Sequence, residues 1–293
     1  MLKTLPLAAA LAATALPLAA FDLTEVETRT LYDLEGPVAG NRISNEVLAR
    51  TPLAAEGIES LKGRTLRTRF WTIEGGGGVV PIHDHANRPA VFTVLSGEIY
   101  EYVSGEEERV QHEAGGLALE EGELAHWWLT EGDETVHLIA FDVYQQVREL
   151  EAVDVAPTPD PVAFDLPQAV GVEHELLGVV NIGAHFDGAF GEGYGLTTYR
   201  TTIAPGGTFS AFTAAGEPLQ SFVWEGEVTE HRAGVDPSVL GEHEGSSLSG
   251  GATAWWQNTS DAPAVLYFGA VEPLSETEGL ARTGTLAHGE HRS

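Results

Sequence analysis

The stretch Leu66 to Ile73, followed by the glycine run Gly75 to Gly78, returns about 130 positions later as Leu196 to Ile203, followed by Pro205, Gly206 and Gly207. Further matches keep the same order. Val94 to Glu101 pairs with Val223 to Glu230, Trp127-Trp128 with Trp255-Trp256, Asp133 with Asp261, and Val136 to Val143 with Ala264 to Val271. A chain that repeats in this way folds as two copies of one module. Each copy is a string of short β-branched and aromatic runs broken by glycine, proline and acidic turns. Neither shows a sustained helical period. The expected class is all-β, with a barrel or sandwich in each half.

The boundaries follow from composition. Residues 1–20 carry Lys3, an apolar run from Leu5 to Leu18, and the small residues Ala19 and Ala20 before polar sequence begins at Phe21-Asp22. This pattern reads as a signal peptide, with a membrane anchor or hydrophobic N-terminal helix as the alternative. Residues 21–150 form the first module. The proline-rich segment 151–164 is the expected linker, 165–274 the second module, and 275–293 a polar tail in which Leu274 to Ala281 could form a short helix. The mature protein is expected in the periplasm or outside the cell.

The net charge is −29, and the only lysines are Lys3 and Lys62. Such a surface repels nucleic acid and anionic lipid, so the expected partner is a small molecule, with no nucleic acid, no membrane after signal cleavage, and room for a homodimer. There is no cysteine. A metal site must therefore use histidine and carboxylate ligands.

His83 and His85 lead into an apolar strand, Ala90 to Leu95. Residues two apart on a strand share a face, so both imidazoles can reach one ion. His126 opens a later strand before Trp127-Trp128. In the second copy the aligned positions are Phe212, Ala214 and Ala254. All three imidazoles are lost together while the glycines, glutamates and tryptophans stay. Groups kept in both copies serve the barrel, and groups present together in one copy are candidates for chemistry. On this ground His83, His85 and His126 are the expected ligands of one divalent metal. Glu98 and Glu101 recur as Glu227 and Glu230, and read as turn and solvent-face residues. His112 and His137 read as ordinary, His288 and His291 as solvated. Asp84 points away from its neighbours and is expected to be exposed.

The glycine-rich turn, His-x-His, a strand ending in Gly97-Glu98, and a third histidine four residues after Gly122 together resemble the cupin superfamily. The resemblance covers residues 55–145 and 185–273, so the chain resembles a bicupin, and within the superfamily it looks most like small secreted cupin-domain proteins. It implies two tandem cupin-type jelly-roll β-barrels, modules paired through their sheets, and a metal inside the mouth of the first. The usual cupin glutamate four or five residues after the second histidine is missing, since Pro89 and Ala90 stand there. Thr130 replaces the usual asparagine. The resemblance thus implies an open three-histidine centre, as in cupin dioxygenases.

Iron or copper is the favoured ion, with zinc, manganese and nickel as alternatives. Arg88 stands where the second copy has Glu217 and is the candidate for orienting an anionic substrate. Phe92 and Trp128 are expected to wall the pocket. The leading functional expectation is a dioxygenase-like oxidoreductase acting on a small organic anion. The alternatives are a non-catalytic periplasmic binder of metal or small ligand, and a zinc-dependent lyase or isomerase. The second barrel is expected to be a filled core that supports the first.

Overall fold

A computed structural model describes residues 21–53, 58, 61–145, 166–182, 193–212, 217–248 and 252–274. The expected signal peptide, linker, polar tail and short helix from Leu274 to Ala281 lie outside these residues, apart from Leu274 itself. So do His288, His291, Ala214 and the side chain of Phe212.

Nine strands build the first half: β1 (Thr28–Leu31), β2 (Leu34–Pro37), β3 (Ile43–Pro52), β4 (Arg64–Ile73), β5 (Val79–Ser96), β6 (Glu98–Val103), β7 (Val110–Glu113), β8 (Leu117–Leu129) and β9 (Val136–Gln145). Eight build the second: β10 (Val170–Asn181), β11 (Tyr194–Phe212), β12 (Leu219–Glu225), β13 (Val228–Arg232), β14 (Val235–Leu240), β15 (Gly245–Leu248), β16 (Thr253–Gln257) and β17 (Ala264–Pro273). Strands β3 to β9 close in the order β3-β4-β9-β5-β8-β6-β7, and β11 to β17 in the order β14-β13-β16-β11-β17-β12-β15, with β10 added beside β11. Every pairing is antiparallel. The protein is two tandem jelly-roll barrels.

The turn glycines common to both copies have a backbone reason. Gly97 and Gly226 adopt φ values of 78° and 80°, a region that side chains with a Cβ avoid. Thr130 and Asn258 also play one role. Thr130 Oγ1 accepts from the Gly78 amide and donates to the Glu74 carbonyl, while Asn258 Nδ2 donates to the Ile203 and Ala262 carbonyls. Each ties down the glycine turn of its barrel.

The apolar run Leu138 to Phe141 does not alternate with polar residues, because β9 is buried on both faces. Leu138 and Ala140 enter the first barrel with Trp71, Phe92 and Trp128. Ile139, Phe141 and Val143 point to the other barrel, where they meet Val180, Phe222, Tyr267 and Val271. The same division holds in β17. Leu266, Phe268 and Ala270 fill the second barrel, while Val265, Tyr267 and Val271 face the first. A polar bridge crosses this apolar joint. The buried Gln220 donates to Thr51 Oγ1 (2.9 Å) and the Leu66 carbonyl (3.1 Å), and accepts from Thr68 Oγ1 (2.6 Å). The two modules therefore pack sheet against sheet, as the resemblance implies.

Inside the second barrel, Phe209, Trp256 and Phe268 form a mutually packed aromatic group with ring centroids 5.0–6.0 Å apart. That group sits within an apolar cluster containing Ile203, Val223, Leu248 and Leu266, as expected for a filled supporting core.

Candidate metal centre

Strand β5 carries His83 and His85, and β8 carries His126. The ladder places His83 opposite His126, but only after a bulge, because Val80 is opposite Trp128. The extra residue twists the strand and turns His83 toward its partner. In the second barrel Phe209 is opposite Trp256 and Ala211 opposite Ala254, with no bulge. The counterpart of His83 is therefore Ala211, one position from the aligned Phe212. His83 and His126 are thus both replaced by alanine in the second barrel, and the pairing of His83 with Phe212 is corrected by one residue.

A second and larger irregularity follows. His85 pairs with Gly122 and Ala90 with Glu120, so residues 86–89 of β5 bulge out of register with β8. Ala90 is one of the two positions where the family glutamate is missing. Its cross-strand neighbour, Glu120, supplies a carboxylate from β8 instead. The three histidines expected from the sequence are therefore joined by a carboxylate that the sequence reading did not include. His83, His85, His126 and Glu120 each offer a ligand atom, all within 4.8 Å of one another. Among the described residues, this is the group fit to hold a metal ion.

The hydrogen bonds fix which ring nitrogens face inward. A carbonyl only accepts, so His83 Nδ1 donates to the Pro81 carbonyl (2.8 Å) and His85 Nδ1 to the Arg88 carbonyl (2.7 Å). Burial pushes the His83 imidazole well below its usual range and the His85 imidazole to about 3, so both rings are neutral and carry a lone pair on Nε2, that of His85 within 3.4 Å of the Arg88 guanidinium. His126 Nδ1 donates to Glu101 Oε1 at 2.5 Å. Trp128 Nε1 lies 3.0 Å from the same nitrogen, but the ionised carboxylate can only accept, so the proton faces Glu101. The Nε2 atoms of His83 and His126 then stand 3.1 Å apart.

Glu120 completes the argument. Oε2 is 2.8 Å from His85 Nε2, and yet neither oxygen of this buried carboxyl has a hydrogen-bond partner. Lone pairs face lone pairs. That arrangement needs a proton or a cation between them. Burial raises the Glu120 carboxyl to about 8. Three inward imidazole nitrogens and an orphaned carboxylate, with no sulfur, fit a divalent transition ion.

The groups behind the ligands are as ordered as the ligands themselves. Glu101 is buried rather than on the solvent face, and it accepts from both His126 Nδ1 and His112 Nε2 (2.8 Å). Burial would raise its pKa, but these two donors prevail and hold it near 2. His112 in turn stacks on Trp128, with ring centroids 5.2 Å apart. So His112 and Glu101, read from the sequence as bystanders, orient His126. The duplicate Glu230 is also buried, but its oxygens accept from Arg232 Nε and Ser246 Oγ. One conserved buried carboxylate thus serves two sets of partners. Outer partners of metal-bound histidines typically affect affinity by about 10–100-fold. Glu101→Gln is expected to weaken metal binding by about that factor, measured by competition with a chromophoric chelator; unchanged affinity would remove Glu101 from the site.

Above the ligands is a cavity of about 200 Å³ bordered by Trp71, Phe92, Trp128 and Leu138, with Arg69 and Arg88 at its polar side. Phe92 and Trp128 wall it as expected. Arg88 is half-buried, with its guanidinium 3.4 Å from His85 Nε2. Asp84 is exposed. His137 is bonded to Ser96 Oγ (2.8 Å), stacked on Phe70, and remote from the ligands.

Residues 69–144 match the Cupin domain family. No curated protein sequence matches the chain significantly. Among solved structures, oxalate decarboxylase from Bacillus subtilis is similar at 11% identity, a TM-score of 0.52, and coverage of 89% of this chain and 79% of that one. A further structure of that enzyme, concerned with its Mn(II) centres, is similar at 10% identity, a TM-score of 0.51, and coverage of 83% and 82%. Salicylate 1,2-dioxygenase from Pseudaminobacter salicylatoxidans is similar at 14% identity, a TM-score of 0.48, and coverage of 74% of each chain. The first barrel thus carries the match to the cupin domain family, and the chain as a whole has the fold of two jelly-roll barrels, with a His/Glu cluster fit for a metal in the first.

Proposed function

We propose that the first barrel is a mononuclear metal enzyme, an oxidoreductase acting on a small organic anion, with dioxygenase-type oxidation as its reaction. The convergence of His83, His85, His126 and Glu120 beneath an apolar cavity is the observation that carries this reading. Fold alone does not decide the chemistry, since barrels of this kind host many reactions. The ligand set does more. Three imidazoles and one carboxylate provide fewer donors than the six that iron or manganese accepts, so exogenous ligands can enter. The carboxylate shifts the preference expected from the sequence, iron or copper, toward iron or manganese. A bound redox ion supplies Lewis-acid polarisation and one-electron chemistry.

The protein's own groups supply the setting. Trp71, Phe92 and Trp128 exclude water. Glu101 holds the His126 ring in place. The arginines favour an anion. We further propose that the protein acts after export, in the periplasm or outside the cell, on a small molecule. The supports are the sequence of residues 1–20 and the net charge of −29.

The decisive measurement is metal content of protein purified from its natural export route, beside His83→Ala and His126→Ala. One iron or manganese per chain in the wild type, lost in both variants, is the expected result. Oxygen uptake with enolic, phenolic and carboxylate substrates should follow metal content. Equal trace metal in all three proteins, or no turnover by the loaded wild type, would overturn the reading.

A further inference from the structure

The mouth of the first barrel holds positive charge that its own fold does not neutralise. Asp142, fully buried on β9, is met in bidentate fashion by Arg67, with Nε–Oδ1 at 2.9 Å and NH2–Oδ2 at 2.6 Å. Arg69 NH2 adds a third contact to Oδ2 at 2.8 Å. One carboxylate therefore serves two guanidiniums. Arg88 is also close enough to act electrostatically on Arg69, as are the acids Asp142 and Glu120. Around Arg69, three guanidiniums thus share the Asp142 carboxylate and the Glu120 carboxyl, and any divalent ion at the histidines adds positive charge.

Arg69 is only 6% exposed, yet its Nε has no hydrogen-bond partner. An unpaired donor on a buried cation is costly unless a ligand completes it. The side chain borders the cavity, and its guanidinium carbon lies 4.8 Å from the Trp71 ring centroid and 6.0 Å from that of Phe92. Asp142 and the aromatic faces hold the planar group in one orientation.

The second barrel is a control. Arg69 pairs with Ala140 where Tyr199 pairs with Phe268, and Ala90 sits between Glu120 and Asp142 where Leu219 sits between Leu248 and Ala270. Arg67, Arg69, Glu120 and Asp142 thus become Thr197, Tyr199, Leu248 and Ala270. The barrel folds without this charged set, as it folds without the histidines. In a chain with 15 Lys and Arg in total and a net charge of −29, three arginines at one mouth have no solubility role.

We propose that Arg69 is the substrate-binding residue for a carboxylate, and that the substrate is a small monocarboxylate whose apolar body fills the cavity between Trp71, Phe92, Trp128 and Leu138. This rests on the reading of the first barrel as an enzyme site and names its substrate class. The size follows from the space. An engineered apolar cavity of about 150 Å³ binds benzene, so about 200 Å³ admits one aromatic ring or a branched chain of similar bulk. The lining walls are almost wholly apolar, which disfavours sugars and polyols. Arg88, the candidate from sequence, is placed second because its guanidinium leans on His85.

The test uses the full chain with metal removed by chelator, so that it does not depend on turnover. Benzoate and its neutral isostere benzamide are titrated while tryptophan fluorescence is followed, since Trp71 and Trp128 border the cavity. Benzoate is expected to bind about tenfold or more tightly than benzamide, as a charge-assisted hydrogen bond requires. Arg69→Gln should abolish that preference, and Arg69→Lys should recover only part of it. A wild type that binds the two probes alike overturns the proposal, whether or not the Arg69 variants fold. So does an Arg69→Gln protein with wild-type melting behaviour and an unchanged preference. The metal measurement fails or succeeds separately. An Arg69-dependent benzoate site in a protein that holds no metal would sink the enzyme reading and leave the carboxylate site standing.

Discussion

Glu120→Gln is expected to make the metal-free protein more stable and the metal-loaded protein much weaker in its hold on the ion. The two effects have one cause. The wild-type carboxyl is buried without a hydrogen-bond partner, and burial raises its pKa from 4.5 to about 8. A carboxyl with a raised folded-state pKa favours the fold fully only below its unfolded value. That contribution is lost as pH rises from about 4.5 through about 8. Glutamine has no such titration. Depressed His83 and His85 act in the opposite sense below their ordinary 6.5, but they do so in both proteins. The difference between variant and wild type isolates Glu120. In chelator, the variant should therefore gain stability relative to wild type steadily from pH 5 to 8.5.

With metal the order reverses. The ion takes the place of the proton, and binding should release one proton near pH 7. Loss of a direct anionic ligand should exceed the 10–100-fold typical of outer partners, so about a hundredfold or more is expected. Melting curves with and without chelator, and proton release measured in buffers of different ionisation enthalpy, check both halves. A variant less stable than wild type in chelator at pH 8 would show that the carboxyl is structural.

Glu120 also marks where sequence reading stopped. The three histidines were legible because the second barrel lacks them all. The same comparison points to Glu120, whose counterpart is the core residue Leu248, and to Arg69 and Asp142. What hid Glu120 is register. Three acids lie at Glu120, Glu121 and Glu123, and only the ladder shows that Glu120 stands beside Ala90, past the bulge at residues 86–89. A one-residue slip flips every side chain to the other face. The bulge between Val80 and His83 misled in the same way, shifting the counterpart of His83 from Phe212 to Ala211. Glu101 was missed for a different reason. A residue kept in both barrels was taken to serve the fold alone. The buried carboxylate is common to both, but its partners are not. Arginine and serine hold Glu230, whereas histidines hold Glu101. The all-β class and the duplication needed only pattern and turn chemistry, and those survive register errors.

The joint between the barrels gives the other large effect. Phe141 is fully buried on β9 and packs in the joint between the barrels, while its neighbour Ala140 packs inside the first barrel and Asp142 bonds Arg69 there. Its ring lies against Gly269 of β17 so closely that a Cβ at Gly269 would enter it. Phe141→Ala should cost about 3–5 kcal/mol through lost burial and the cavity left behind. Gly269→Ala should cost about 1–3 kcal/mol by the opposite route, overpacking. Combined, the two should cost clearly less than their sum, because the methyl at 269 occupies space the ring has vacated. Metal affinity should stay within a few fold in all three variants, since period-2 alternation keeps Phe141 off the ligand face. Strict additivity would mean that the two residues do not touch and that the barrels are joined differently. A large loss of metal affinity in a still-folded Phe141→Ala would mean that the second barrel holds the ligand strands in position, and so serves the site across the joint.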